Sequence, residues 1–298
     1  MKNTIFKGSA VALVTPMKSD LDIDFKTLGR IIEFQIRNNI DAIVLCGTTG
    51  ESATLTNDEK IQIIKYSVRK INKRVPLIVG TGSNNTENAL FLSLKAQNLG
   101  ADALLIVTPY YNKTSQNGLI EHYNYIANNV KIPIILYNVP SRTGCNIEPE
   151  TYKILSKHER IVATKEASGD LSKLAKTISL CQNNLDIYCG NDDQIIPTLS
   201  LGAAGIISVF ANAFPLQSHK IVEYYSKGYC QKSLNLFFSS LKVINSLFLD
   251  VNPIPIKTAM NFLDIPCGKC RLPLCDLNVS HKKKLKNAFE EYIKKKII

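Results

Sequence analysis

Short runs of β-branched and other apolar residues alternate along the chain with longer segments whose apolar positions recur at helical spacing. The strand candidates are Ser9–Val14, Ala42–Cys46, Leu77–Val79, Ala103–Val107, Ile132–Tyr137, Ile161–Lys165, Asp186–Cys189 and Gly205–Val209. Between them lie amphipathic stretches such as Leu28, Ile31, Ile32, Phe34 and Ile36, or Ile61, Ile63, Ile64, Val68 and Ile71. Thr56-Asn57-Asp58-Glu59 reads as a helix start, a threonine hydroxyl and a glutamate three residues on being able to cap each other's amides. Nearly continuous apolar strands imply a parallel sheet buried on both faces. Eight β–α units close a (β/α)8 TIM barrel, an α/β fold. Beyond about residue 212 the strand pattern stops, and Pro215–Lys227, Tyr229–Phe248, Ile254–Leu263 and His281–Lys296 all read as helices. The expected organisation is a catalytic barrel over 1–225 and a C-terminal helical extension over 226–298. No low-complexity linker separates them, so they are expected to pack together.

Composition narrows the picture. At 298 residues, with 45% hydrophobic and 20% charged positions, the chain is globular in type and long enough to bury a core without a metal or disulfide. No apolar run reaches the roughly 18 residues of a membrane span. The opening MKNTIFKGSAVALVTP has only a short apolar stretch, ended at Thr15-Pro16, and reads as a first strand rather than a secretion signal. A cytoplasmic protein is expected, with its eight cysteines reduced and mostly in the core. Cys267 and Cys270, followed by Cys275 and His281, have a spacing that zinc sites use, but a single CxxC pair without a second does not define one. The net charge of +11 is spread along the chain. Its dense runs, Lys282–Lys284 and Lys294–Lys296, fall in the last helical stretch as a solvated face, so no nucleic-acid partner is expected.

Polar residues gather after the strand ends, where barrels of this kind build their sites. They are Gly47-Thr48-Thr49-Gly50-Glu51-Ser52, Thr108-Pro109-Tyr110-Tyr111-Asn112, Tyr137 to Gly144, Lys165-Glu166-Ala167-Ser168-Gly169 and Gly190-Asn191-Asp192-Asp193. Lys165 closes an apolar strand, a setting that favours the neutral amine able to attack a ketone; the competing role is an ion pair with Glu166. Tyr137 ends the preceding strand and suits either a proton relay or aromatic packing. Thr48 and Thr49, between glycines, suit carboxylate binding or a plain turn. Arg142 suits bidentate capture of a carboxylate or an ordinary surface position.

GTTGES, PYYN, YNVPSRTG, TKEASG and NPIPIK (Asn252–Lys257), in this order and spacing, closely resemble the dihydrodipicolinate synthase family of pyruvate-dependent aldolases, from about Gly8 to Pro273. The resemblance implies a lyase of diaminopimelate and lysine biosynthesis that condenses pyruvate with aspartate 4-semialdehyde. It assigns Lys165 the Schiff base and Tyr137 the proton transfers. Thr48 would link Tyr137 to a Tyr111 supplied by a neighbouring subunit. Thr49 would hold the pyruvate carboxylate, Ile207 and Gly190 would line the substrate pocket, and Arg142 would bind the semialdehyde carboxylate. It implies a homotetramer and no metal or organic cofactor. N-acetylneuraminate lyases look similar but usually carry GSTGE and lack the SRTG arginine; another pyruvate aldolase, such as N-acetylneuraminate lyase or a keto-sugar-acid aldolase, is the alternative enzyme. A basic interaction protein on an inactive barrel is the alternative outside enzymes, and intact Lys165, Tyr137, Thr48 and Arg142 argue against it.

One departure bears on regulation. Many members of that family are inhibited by lysine. Asn84 and Tyr110 match the pattern, but Asn57 and Lys60 stand where histidines are frequent. Asn88, beside Glu87, stands at the usual glutamate. An amide in place of an acid cannot pair with a cationic ligand, so weak or absent lysine feedback is expected.

Overall fold

The computed structural model describes residues 4–294. Its strands are β1 Gly8–Ala12, β2 Ala42–Leu45, β3 Leu77–Gly80, β4 Ala103–Val107, β5 Ile134–Asn138, β6 Ile161–Glu166, β7 Asp186–Cys189 and β8 Gly205–Ser208. They follow one another in chain order around a closed parallel barrel. The helices are α1 Phe25–Arg37, α2 Asn57–Ile71, α3 Thr86–Leu99, α4 Gln116–Asn129, α5 Pro140–Thr143, α6 Pro149–Leu155, α7 Leu171–Cys181, α8 Ile195–Ser200, α9 Pro215–Ser226, α10 Cys230–Ser246, α11 Ile254–Met260 and α12 Val279–Lys294. The fold is the expected TIM barrel with C-terminal helices.

All eight anticipated strands are present, with shifted ends that have local causes. The amide of Val14 turns from the ladder to the Asn212 side chain at 3.0 Å, so β1 stops before it. Pro133 has no N–H to give, and β5 begins one residue later. At their C-terminal ends β5 and β6 run one residue further than expected, because Asn138 pairs with Glu166 beyond the Tyr137–Lys165 pair.

The chain divides into two compact units, one of Pro76–Ile207 with the N-terminal segment up to Lys7, the other of Gly8–Val75 with the residues from Ser208 onward. In the first, Phe6 stacks on Tyr188 with ring centroids 4.2 Å apart, and the Tyr188 hydroxyl donates to the Phe6 carbonyl at 2.9 Å. In the second, α9, α10 and α12 pack together. Phe210, Phe214, Phe289 and Tyr292 form an aromatic cluster, and the Tyr292 and Ser240 hydroxyls lie 2.7 Å apart. Lys282–Lys284 are exposed near the start of α12, whereas Leu285, Ala288, Phe289 and Tyr292 are buried, and Lys295 and Lys296 lie outside the described residues.

Thr56 and Glu59 form the anticipated capping box at the start of α2. Cys46, Cys145, Cys181, Cys189 and Cys267 are buried, whereas Cys230 and Cys275 are exposed.

Candidate active site

Tyr137 and Lys165 are register partners on β5 and β6. Alternation of side chains along a strand fixes where they point. Thr164 and Glu166, on either side of Lys165, both reach Tyr152 of α6, at 3.2 and 2.9 Å. Lys165 therefore points the other way, toward the barrel interior, where it is buried with Nζ 4.4 Å from the centroid of the Tyr137 ring. Glu166 is engaged elsewhere. Its carboxylate accepts from the Tyr152 hydroxyl, from the Ser168 amide at 2.7 Å, and from Asn138 Nδ2 at 3.1 and 3.2 Å. This outward network ties β5, β6 and α6 together directly behind the Tyr137–Lys165 pair.

Gly190 follows the end of β7. Its amide donates to the Glu166 carbonyl at 2.8 Å. A β-carbon there would stand 2.8 Å from Ala167 Cβ, 3.0 Å from the Glu166 carbonyl oxygen and 3.1 Å from Lys165 Cε. Only glycine leaves the lysine stem its present path. Ile207, on β8, is fully buried. Arg142 sits in the last turn of α5 and is exposed. Tyr111 is 91% exposed in the β4–α4 loop. Its φ is +70°, and Asn112 N–H donates across it to the Tyr110 carbonyl at 2.9 Å. That γ-turn holds a bulky residue in a sparsely populated backbone region.

In the second unit, Thr48 is half-buried and Thr49 is buried after β2. The Thr49 hydroxyl oxygen accepts from Asn252 Nδ2 at 3.0 Å. Two residues on, Glu51 adopts a left-handed backbone (φ +57°), and its carboxylate meets Lys257 Nζ at 2.7 Å, with side-chain exposures of 0% for Glu51 and 2% for Lys257. Its other oxygen accepts the Arg271 amide at 2.9 Å, while Lys257 Nζ also donates to the Lys269 carbonyl at 2.7 Å. GTTGES and NPIPIK, about 200 residues apart, thus form one latched structure.

Local sequence pattern assigns no role to Asn252, Glu51 or Lys257. The available signal was a lysine and a glutamate, each set among apolar or glycine-rich neighbours, since such charges are buried only in pairs.

The CxxC segment belongs to the same latch. The Cys267 carbonyl accepts from the Met17 amide at 2.9 Å, and burial pushes the Cys267 and Cys270 thiols up to about 12. Arg271 continues it as a fork onto Glu59, whose carboxyl that guanidinium holds at about 2. Among the described residues no three His, Cys, Asp or Glu side chains gather as a metal site. Nor is any described helix long and apolar enough to cross a membrane.

A lysine inside a parallel barrel, beside a tyrosine from the next strand, defines the class as (β/α)8-barrel proteins with a lysine-centred site. The family model described as the dihydrodipicolinate synthetase family matches residues 5–292, and the chain belongs to that family. It is 50% identical over 291 residues to the 4-hydroxy-tetrahydrodipicolinate synthase of Clostridium novyi, covering 98% of each chain. Over 277 residues it is 52% identical to the synthase of Clostridium perfringens, covering 93% of this chain and 95% of that one. The chloride-inhibited dihydrodipicolinate synthase of Acinetobacter baumannii, solved with pyruvate, superposes with a TM-score of 0.95 at 40% identity, covering 97% of this chain and 99% of that one.

Proposed function

We propose that this chain is a lyase condensing pyruvate with L-aspartate 4-semialdehyde to 4-hydroxy-tetrahydrodipicolinate, the first committed step of diaminopimelate and lysine biosynthesis. The carrying observation is the buried Lys165 amine held against Tyr137 inside the barrel. The amine adds to C2 of pyruvate, water leaves, and a protonated imine forms. That imine is the electron sink, so the chemistry calls for no metal or organic cofactor. Loss of a methyl proton gives the enamine, whose C3 attacks the aldehyde carbon. The amino group of the second substrate then adds to the imine carbon and expels Lys165 as the ring closes.

Tyr137 serves as proton donor and acceptor throughout. Thr48 relays protons between Tyr137 and a Tyr111 contributed by a second copy of the chain. Tyr111 supports that role by its exposure and its strained γ-turn, which hold a phenol away from its own subunit. Thr49 holds the pyruvate carboxylate, Ile207 and Gly190 line that pocket, and Arg142 takes the carboxylate of the semialdehyde. The assembly is a homotetramer working in the cytoplasm, with residues 1–225 as the catalytic barrel and 226–298 as the helical extension.

Incubation with pyruvate and borohydride, followed by peptide mass measurement, tests the chemistry. The expected result is a reduced pyruvate adduct on Lys165, and an unmodified chain refutes it. Assays with aspartate semialdehyde and with N-acetylneuraminate then separate the synthase from a sialate lyase, and turnover of the latter alone would displace the synthase reading. Light scattering checks the tetramer.

A further inference from the structure

Thr49 carries a single hydroxyl proton, and the direction in which it points decides whether the residue attracts or repels a carboxylate. Its oxygen accepts from Asn252 Nδ2 at 3.0 Å, and both side chains are buried. Among the described residues no acceptor takes the Thr49 proton. A hydroxyl whose oxygen is already occupied by an N–H donor keeps its own proton for a third group.

The latch makes this arrangement rigid. Asn252 precedes α11, which is anchored five residues on by the buried Lys257–Glu51 pair at 2.7 Å. Glu51 stands two residues from Thr49 and is pinned in addition by the Arg271 amide. The donor and the hydroxyl are therefore both tied down from the same side.

We propose that Asn252 is a positioning residue for the pyruvate carboxylate: by donating to Thr49 Oγ1 it commits the Thr49 proton to the substrate. This rests on the keto-acid reading of Thr49 given above. Asn252→Asp reverses the polarity, since an aspartate accepts the Thr49 proton, turns it away from the substrate and adds a like charge nearby. Asn252→Ala removes the donor and leaves the proton free to rotate.

The measurement is the pyruvate concentration giving half-maximal borohydride-trapped adduct on Lys165, with the plateau and the melting temperature recorded for each variant. Expected for Asn252→Asp is a rise of about tenfold or more, and for Asn252→Ala a smaller rise of about threefold, both with the full adduct at saturation. In a Thr49→Val background Asn252→Ala is expected to add nothing further, because the hydroxyl it directs is gone. Two results overturn the inference: pyruvate binding in Asn252→Asp as tight as in the parent, or the same fold-loss from Asn252→Ala in both backgrounds. The parent chain separates the two levels. If it fails to trap pyruvate, the proposed function falls and the inference with it; if it traps pyruvate and the Asn252 variants do so equally well, only the inference falls.

Discussion

Lys165 Nζ lies 4.4 Å from the centroid of the Tyr137 ring, and the two residues are register partners on adjacent parallel strands. Their separation is set by the sheet itself, so removing either functional group leaves the other in place. Tyr137→Phe keeps the ring that packs on the lysine and deletes only the proton carrier. Its kcat is expected to fall by about 100-fold or more, with an unchanged melting temperature. A coupled condensation assay with calorimetry decides this, and near-parent turnover would remove Tyr137 from the relay.

Gly190 has no room for a single added carbon beside the stem of Lys165. A methyl there meets a backbone oxygen at 3.0 Å and the stem of Lys165 at 3.1 Å, and the backbone cannot give way cheaply. Gly190→Ala should cost about 1–3 kcal/mol of stability by overpacking and displace the lysine from its path. Loss of pyruvate adduct formation beyond what the lower melting temperature explains is the expected signature. Parent-like trapping would show that Lys165 repacks freely.

The Lys257–Glu51 pair is fully buried, so cutting it in half is worse than neutralising it. Lys257→Met leaves an uncompensated carboxylate and is expected to destabilise the chain by about 3–5 kcal/mol. Adding Glu51→Gln should restore much of that loss, because glutamine still accepts the Arg271 amide. Urea denaturation of the two variants measures both. Equal losses in the single and double variants would mean that packing, not charge, holds the latch.

Two histidines make stability depend on pH in opposite senses. His122 is 6% exposed, its Nδ1 lies 2.8 Å from the Thr86 hydroxyl, and burial pushes its pKa from 6.5 down to about 4. The unfolded chain takes up that proton first as pH falls. The contribution of neutral His122 is thus complete above pH 6.5 and is lost between 6.5 and about 4. The loss reaches at most about 3 kcal/mol. His219 is raised by its hydrogen bond to Asp41, so its contribution is complete below pH 6.5 and is lost as pH rises through the folded value. Denaturant midpoints at pH 7 and 4.5 should therefore fall further in the parent than in His122→Asn. Parallel falls would place the acid sensitivity elsewhere.

Lysine is expected to inhibit weakly or not at all. Asn88 supplies an amide where an acid would pair with the ligand's ammonium, and that amide donates to Ser83 at 3.3 Å. Glu87 is not a ready substitute, since it is hydrogen-bonded to Tyr125. Lys60 is buried, with its pKa lowered by loss of solvent. Strong inhibition by submillimolar lysine in the condensation assay would overturn this expectation.

The barrel was legible from the chain's pattern alone, because eight apolar strands separated by amphipathic helices have few other ways to bury both faces of a parallel sheet. The same pattern also located Lys165 and Tyr137, since a polar residue ending an apolar strand announces itself in one dimension. Strand ends were displaced where a proline or a distant side chain claimed the last amide, as at Pro133 and at Val14 with Asn212. The contacts of Asn252, Lys257 and the CxxC segment emerge from the three-dimensional fold. Their partners Thr49, Glu51 and Met17 lie some 200 residues or more away in the chain, and a hydrogen bond depends on separation in space, which no local pattern encodes. The same holds for Glu166: next to Lys165 in sequence it looked like an ion-pair partner, yet strand alternation sends the two side chains to opposite faces.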